Sequence, residues 1–102
     1  MSSAEGDRTN QYLTFSLSDE LYALEVSKVK EVLEYQSITR VPKTPEFMRG
    51  VINVRGGIVP VIDLRLKFNL PATERTVDTC IIVLEINLND ETITVGMIAD
   101  NV

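Results

Sequence analysis

Hydrophobic and polar positions alternate cleanly near the start of the chain. Leu13, Phe15 and Leu17 take one set of positions and Tyr12, Thr14 and Ser16 the other, the period of a half-buried strand. Ser18-Asp19-Glu20 supplies turn residues, so residues 21–25 read as the returning strand of an opening hairpin. From Val26 the spacing changes. Val26, Val29 and Val32-Leu33 recur at helical intervals, with Lys28, Lys30, Glu31 and Glu34 between them. This predicts a short amphipathic helix over residues 27–34, with Lys30 and Glu34 paired on its solvated side. Residues 38–41 then read as a short strand ended by Pro42.

Residues 44–64, T-P-E-F-M-R-G-V-I-N-V-R-G-G-I-V-P-V-I-D-L, are the most fully specified stretch. Thr44 suits a helix cap, Pro45 the first helical position and Gly50 a stop, predicting one helical turn at residues 45–49. Val51, Ile52 and Val54 form one β-branched run and Ile58, Val59, Val61 and Ile62 another, with Gly56-Gly57 between them. Two such runs around a glycine pair predict a hairpin with a primed turn. Pro60 has no N–H for a ladder bond, so its strand is expected at an edge or bulged. Neither run alternates, which predicts burial on both faces or a large partner surface. Asn53 and Arg55 are polar exceptions at the hairpin rim, where simple solvation is as good a reading as function.

Residues 64–68 follow as a turn or short helix, and residues 69–77, with Pro71 and many polar side chains, make the best linker. Residues 79–86 and 91–99 form a second apolar hairpin around Asn87–Asp90. An internal echo lays Tyr22-Ala23-Leu24-Glu25-Val26-Ser27-Lys28-Val29 over Val95-Gly96-Met97-Ile98-Ala99-Asp100-Asn101-Val102. Ser27 then matches Asp100, both helix-cap types, and the expectation is a two-unit protein whose second unit is cut at the start of its helix.

Composition narrows the class. A chain of 102 residues supports one domain, and 44% hydrophobic with 25% charged residues is ordinary globular usage. Residues 1–10 lack the apolar core of a signal peptide, no run approaches a membrane span, and a cytoplasmic protein is expected. The net charge of −5, with its bases scattered, argues against nucleic acid. There is no histidine, which removes histidine general bases, Ser/His/Asp triads and common zinc sets. No glycine-rich phosphate loop occurs, and the acids show no paired spacing. Cys80, within C-I-I-V-L, reads as a buried hydrophobe. Neither catalytic, cofactor-binding nor metal-binding residues are assigned, and an enzyme is not expected.

The sequences L-Y-A-L-E-V-S-K-V-K-E-V-L-E and I-T-R-V-P-K-T-P-E-F-M-R-G-V-I-N-V-R-G-G-I-V-P-V-I-D-L-R-L-K-F resemble the CheW-like domain family of bacterial chemotaxis, most closely its coupling proteins. The resemblance covers residues 11–102. It implies a mainly β fold: an SH3-like five-stranded β-barrel with a short amphipathic helix, plus the opening hairpin of a second barrel that is cut short. In these terms residues 1–10 are a mobile leader, 11–70 the first barrel, 69–77 a linker and 78–102 the start of the second unit.

It further implies a non-catalytic adaptor, recruited to receptor arrays. The adaptor links the histidine kinase CheA, through the kinase's own CheW-like regulatory domain, to the cytoplasmic tips of chemoreceptors. Asn53, Val54, Arg55 and Gly56 match the family's N-[LV]-R-G signature, and Val29 and Glu31 match partner-contact positions. For Val29 core packing is an equal reading, and for Gly56 turn geometry is the stronger one. A strand pair severed from its barrel would expose apolar edges, so self-association or segment swapping is expected. Two alternatives stand beside this reading. One is a CheV-type adaptor, in which a CheW-like domain precedes a phospho-receiver domain. The other, from a different class, is a small-molecule-binding or enzymatic β-barrel, which needs a pocket of convergent polar groups.

Overall fold

The opening alternation forms the hairpin it predicts. In a computed structural model that describes residues 11–71 and 74–102, β1 (Tyr12–Leu17) pairs antiparallel with β2 (Glu20–Glu25). Phe15 and Leu17 are buried, while Tyr12 is exposed. Ser18 and Asp19 make the two-residue turn, both at positive φ, as a primed hairpin turn requires. The leader expected at residues 1–10 lies outside the described residues, as do Ala72 and Thr73 of the expected linker.

The helix expected at residues 27–34 is instead a single 3₁₀ turn, Val26–Lys28, followed by a strand, β3 (Val29–Glu34). Burial along β3 has a period of two: Val29, Glu31 and Leu33 are half-buried, and Lys30, Val32 and Glu34 exposed. Glu31 occupies an inward position, which disguised the alternation. The β-branched valines and an adjoining apolar strand then outweigh a helical spacing that had only two turns to act over. Lys30 accordingly pairs across the sheet with Glu85, 3.5 Å away, rather than with Glu34.

The central hairpin is β4 (Met48–Val54) and β5 (Gly57–Ile62). Its turn lies one residue earlier than expected. Val54 pairs with Gly57, and the central residues are Arg55 and Gly56, at φ 51° and 84°. The helical turn expected at residues 45–49 is reduced to one reverse turn, closed by the Met48 N–H donating to the Pro45 carbonyl. Met48 and Arg49 already belong to β4, and the Thr44 hydroxyl donates back to the Val41 carbonyl instead of capping a helix. Gly50 is there for a different reason from the one expected. Its φ is 144°, and a Cβ would sit 2.1 Å from the Thr39 carbonyl oxygen. That close approach lets Thr39 and Val51 exchange two backbone hydrogen bonds of 2.9 and 2.8 Å, the one bridge that remains of the strand expected at residues 38–41.

After β5 comes α1 (Leu64–Lys67), capped by Asp63, whose side chain accepts the Arg65 N–H. Then β6 (Cys80–Leu88) and β7 (Glu91–Ala99) form the last hairpin. The five-stranded sheet has the order β3-β6-β7-β5-β4. Thus β6 and β7, the hairpin expected to open a second unit, are bonded on both sides by strands from earlier in the chain.

Register assigns the two faces of this sheet. Ile52, Val59, Val61, Ile81, Val83 and Ile98 form one cluster, joined by Leu33, Tyr35, Ile38 and Val54. Cys80, Ile82, Leu84, Met97 and Ala99 form the other, where Phe15 and Leu17 of the first hairpin cover them. Strand β6 is therefore buried on both faces, which explains why its sequence does not alternate. Each fully buried Ile or Val here contributes about 1.5–3 kcal/mol. The first cluster fills the space inside the curl of the sheet. Because Thr39, just beyond β3, bridges β4 at the far edge, the sheet closes on itself as a small, SH3-like barrel.

Pro60 needs neither an edge nor a bulge. Its partner Val51 directs its own N–H and carbonyl to Thr39, so the ring nitrogen of Pro60 faces away from β4. On that side the parallel ladder with β7 begins only at Val61. The missing donor falls where the ladder has stopped.

Candidate functional site

The turn of the central hairpin collects most of the residues singled out from sequence. Arg55, at the first turn position, extends its guanidinium to Glu31 on β3, with Nη1 and Oε2 2.7 Å apart. The side chain of Arg55 is 79% exposed and that of Glu31 20%. Asn53 holds the turn from inside, its Oδ1 accepting the Gly56 N–H at 3.0 Å. Gly56 itself is open to solvent, and a Cβ there would meet nothing within 4 Å. Lys30 and Glu85 add a second ion pair at this end of the barrel.

Val29 and Val54 behave differently. A bulge between Val29 and Glu31 shifts their partners to Leu84 and Val83 respectively, which places the two residues on opposite faces. Val29 packs against the cluster under the first hairpin and Val54 against the barrel interior. Of the six candidates, Asn53, Arg55 and Gly56 form an exposed polar tip that reaches the half-buried Glu31, and the two valines pack into separate apolar clusters.

Beside the tip lies a residue that the sequence reading passed over. Ile58 pairs with Asn53 across the hairpin and is 66% exposed. The signal was present in the lack of alternation along β5, which admits an apolar side chain on the outer face as well as the inner. The tip can thus offer one cation, one amide and one apolar side chain to a partner, a mixture suited to protein recognition. The described residues contain no group of three or more His, Cys, Asp or Glu side chains able to hold a metal.

The opposite end of the barrel holds a second polar constellation that sequence reasoning also missed. Asp63 is 5% exposed and takes hydrogen bonds from the Arg65 N–H, Nε and Nη2 at 3.0–3.1 Å. Arg65 Nη1 reaches Asp100 at 3.1 Å, and Asp100 also accepts the Ser18 N–H at 2.7 Å. The hydrogen bond to Asp63 is the largest reason that the Arg65 guanidinium holds its proton more tightly than usual. One arginine thereby ties α1, the end of β7 and the first hairpin together. The D-L-R order at residues 63–65 was the available signal, an N-cap acid followed by an arginine within its reach.

The family model described as "CheW-like domain" matches residues 11–102. The chain belongs to the CheW-like domain family. Among curated CheW-like relatives, the chemotaxis protein CheW of Klebsiella aerogenes is 39% identical over 92 residues, covering 90% of this chain and 53% of that one. The chemotaxis protein CheW of Bacillus subtilis is 41% identical over 81 residues, 79% of this chain and 52% of the other. A crystal structure titled scaffolding protein TtCheW, from Thermoanaerobacter tengcongensis, superposes with a TM-score of 0.79 at 39% identity. The match covers 90% of this chain and 60% of that chain. This CheW-like chain spans about half the length of the curated relatives it matches.

Proposed function

We propose that this chain serves as a non-catalytic chemotaxis adaptor, contributing a binding surface that couples the histidine kinase CheA to chemoreceptors. The observation that carries this reading is the unbroken match of residues 11–102 to the CheW-like domain. Within it the N-V-R-G signature builds an exposed tip instead of a reactive site. The partners are the kinase's own CheW-like regulatory domain and the cytoplasmic tips of the receptors. The contact residues are Arg55, Asn53 and Gly56 at the turn, with Glu31 beside them and Val29 and Val54 as support.

In this reading the protein works in the cytoplasm and is recruited to receptor arrays. No helix among the described residues is long and apolar enough to cross a membrane. Exposed Leu21, Ile58 and Phe68 support self-association when no partner covers them.

The test is a binding assay of the protein with the kinase regulatory domain and, separately, with a receptor-tip fragment. The adaptor reading expects both to bind, and Arg55→Glu to weaken at least one of them while the unfolding transition stays where it is. An absence of binding to either partner would remove the reading.

A further inference from the structure

The chain is acidic overall, yet half of its bases are gathered at one end of the barrel. Two adjoining cavities, of about 280 and 330 Å³, open there and share Arg49 as a common wall. Between them they are lined by Arg40, Lys43, Arg49, Arg65 and Arg75, which is half of the ten Lys and Arg residues in a chain of net charge −5. Among the described residues only two acids line the same space, Glu46 and Asp63.

These charges do not neutralise one another. Asp63 is occupied by three N–H groups of Arg65, and Arg65 takes Asp100 as well. That leaves Arg40, Lys43, Arg49 and Arg75 with no carboxylate partner among the described residues.

The fold fixes where two of the four emerge. Arg49 is the extra residue of a β-bulge, since Met48 pairs with Ile62 and Gly50 with Val61, and a bulge re-aims the side chain it carries. Gly50, pressed against the Thr39 carbonyl, locks that bulge. Arg75 holds its guanidinium carbon 4.6 Å from the Tyr35 ring centroid, a cation–π contact that positions the charge and uses no carboxylate. The smaller cavity is lined by both of them, together with the buried Ile98. Its size is near the lower end for small-molecule sites, roughly 300–1,000 Å³.

We infer that this end of the barrel binds a small phosphate-class oxyanion, gripped by Arg49 and Arg75 with Arg40 and Lys43 in the adjoining cavity. Guanidinium groups suit a tetrahedral oxyanion, to which they can donate two N–H groups at once, and a cavity favours a compact free ligand over a flat protein surface. The inference stands apart from the adaptor reading, whose contacts lie at the opposite end of the same strands.

Calorimetric titration of the purified protein with inorganic phosphate, at constant ionic strength made up with chloride, tests it. Saturable one-to-one binding is expected. Arg49→Gln should weaken it by about tenfold or more, as loss of a charge-assisted hydrogen bond does. Lys28→Gln removes the same charge at the far end of β3 and should leave the affinity unchanged. Both side chains are exposed, so an unaltered unfolding midpoint is expected for each variant. No saturable heat, equal weakening by the two variants, or tighter binding of acetate than of phosphate would each overturn the assignment.

Discussion

Arg55 and Glu31 are 24 residues apart in the chain and sit near opposite edges of a five-stranded sheet, yet their side chains meet at 2.7 Å. The meeting is possible only because the sheet curls until its first and last strands face each other. The ion pair and the Thr39–Val51 bridge are two stitches across that seam.

The stitch at Arg55 is weak in energy and strong in placement. An exposed ion pair contributes about 0–1 kcal/mol, so Arg55→Glu should lower stability by no more than about 1 kcal/mol. Binding should respond far more, because a like charge now faces Glu31 and any partner. The exchanged variant Glu31→Arg with Arg55→Glu should recover the stability but not the binding. Chemical denaturation beside a binding titration separates the two effects.

The Thr39–Val51 stitch behaves in the opposite way. Gly50→Ala puts a Cβ 2.1 Å from the Thr39 carbonyl oxygen at a φ of 144°, and the bridge must open. A loss of about 3 kcal/mol is expected, at the upper end of backbone-strain costs. Gly56→Ala has open space at φ 84° and should cost only about 1 kcal/mol. Denaturation midpoints of the two variants should therefore differ clearly.

Asp63 and Arg65 are coupled through burial. Arg65→Met strands a nearly buried carboxylate and should destabilise by about 3 kcal/mol, as broken buried ion pairs do. Pairing it with Asp63→Asn should cost less than the sum of the two single changes. A double-mutant cycle measured by denaturation would reveal this, and strict additivity would contradict the coupling.

Alkaline pH should loosen the fold through Cys80 and Tyr22. Burial raises the Cys80 thiol above its ordinary 9.0, and a hydrogen bond to Glu20 raises Tyr22 above its ordinary 10.0. In both cases the unfolded state releases its proton first. Stability is then full below about pH 9 and falls as pH rises through the folded-state values. Cys80→Ala should flatten the part of that fall which begins near pH 9, in thermal unfolding across the range.

Much of this was legible from residue order alone. Leu13, Phe15 and Leu17 announced β1 because a single hairpin face carries the whole signal. The apolar run at residues 79–86 announced a strand, though not that both of its faces are buried. Two readings failed for definable reasons. Residues 29–34 contain a bulge between Val29 and Glu31 and an acid, Glu31, at a half-buried position, and the two together break a two-residue period into what looks like a helical one. At the central hairpin Gly56-Gly57 attracted the turn, but Arg55 tolerates a positive φ while Asn53 braces it from one side, so the turn begins one residue earlier. The candidate tip was found through its signature. The arginine-lined end was not, because Arg40, Arg49, Arg65 and Arg75 are scattered along the sequence and only strand direction brings them together.

Strand order also governs when this barrel can exist. The strands that join β3 to the β4–β5 hairpin, β6 and β7, follow all three of them in the chain. While the chain leaves the ribosome, β3, β4 and β5 emerge first, with nothing yet to separate or cover them. A chaperone that holds exposed apolar strands would find its target during this interval, and a nascent chain stalled before Cys80 should bind it in preference to the finished protein.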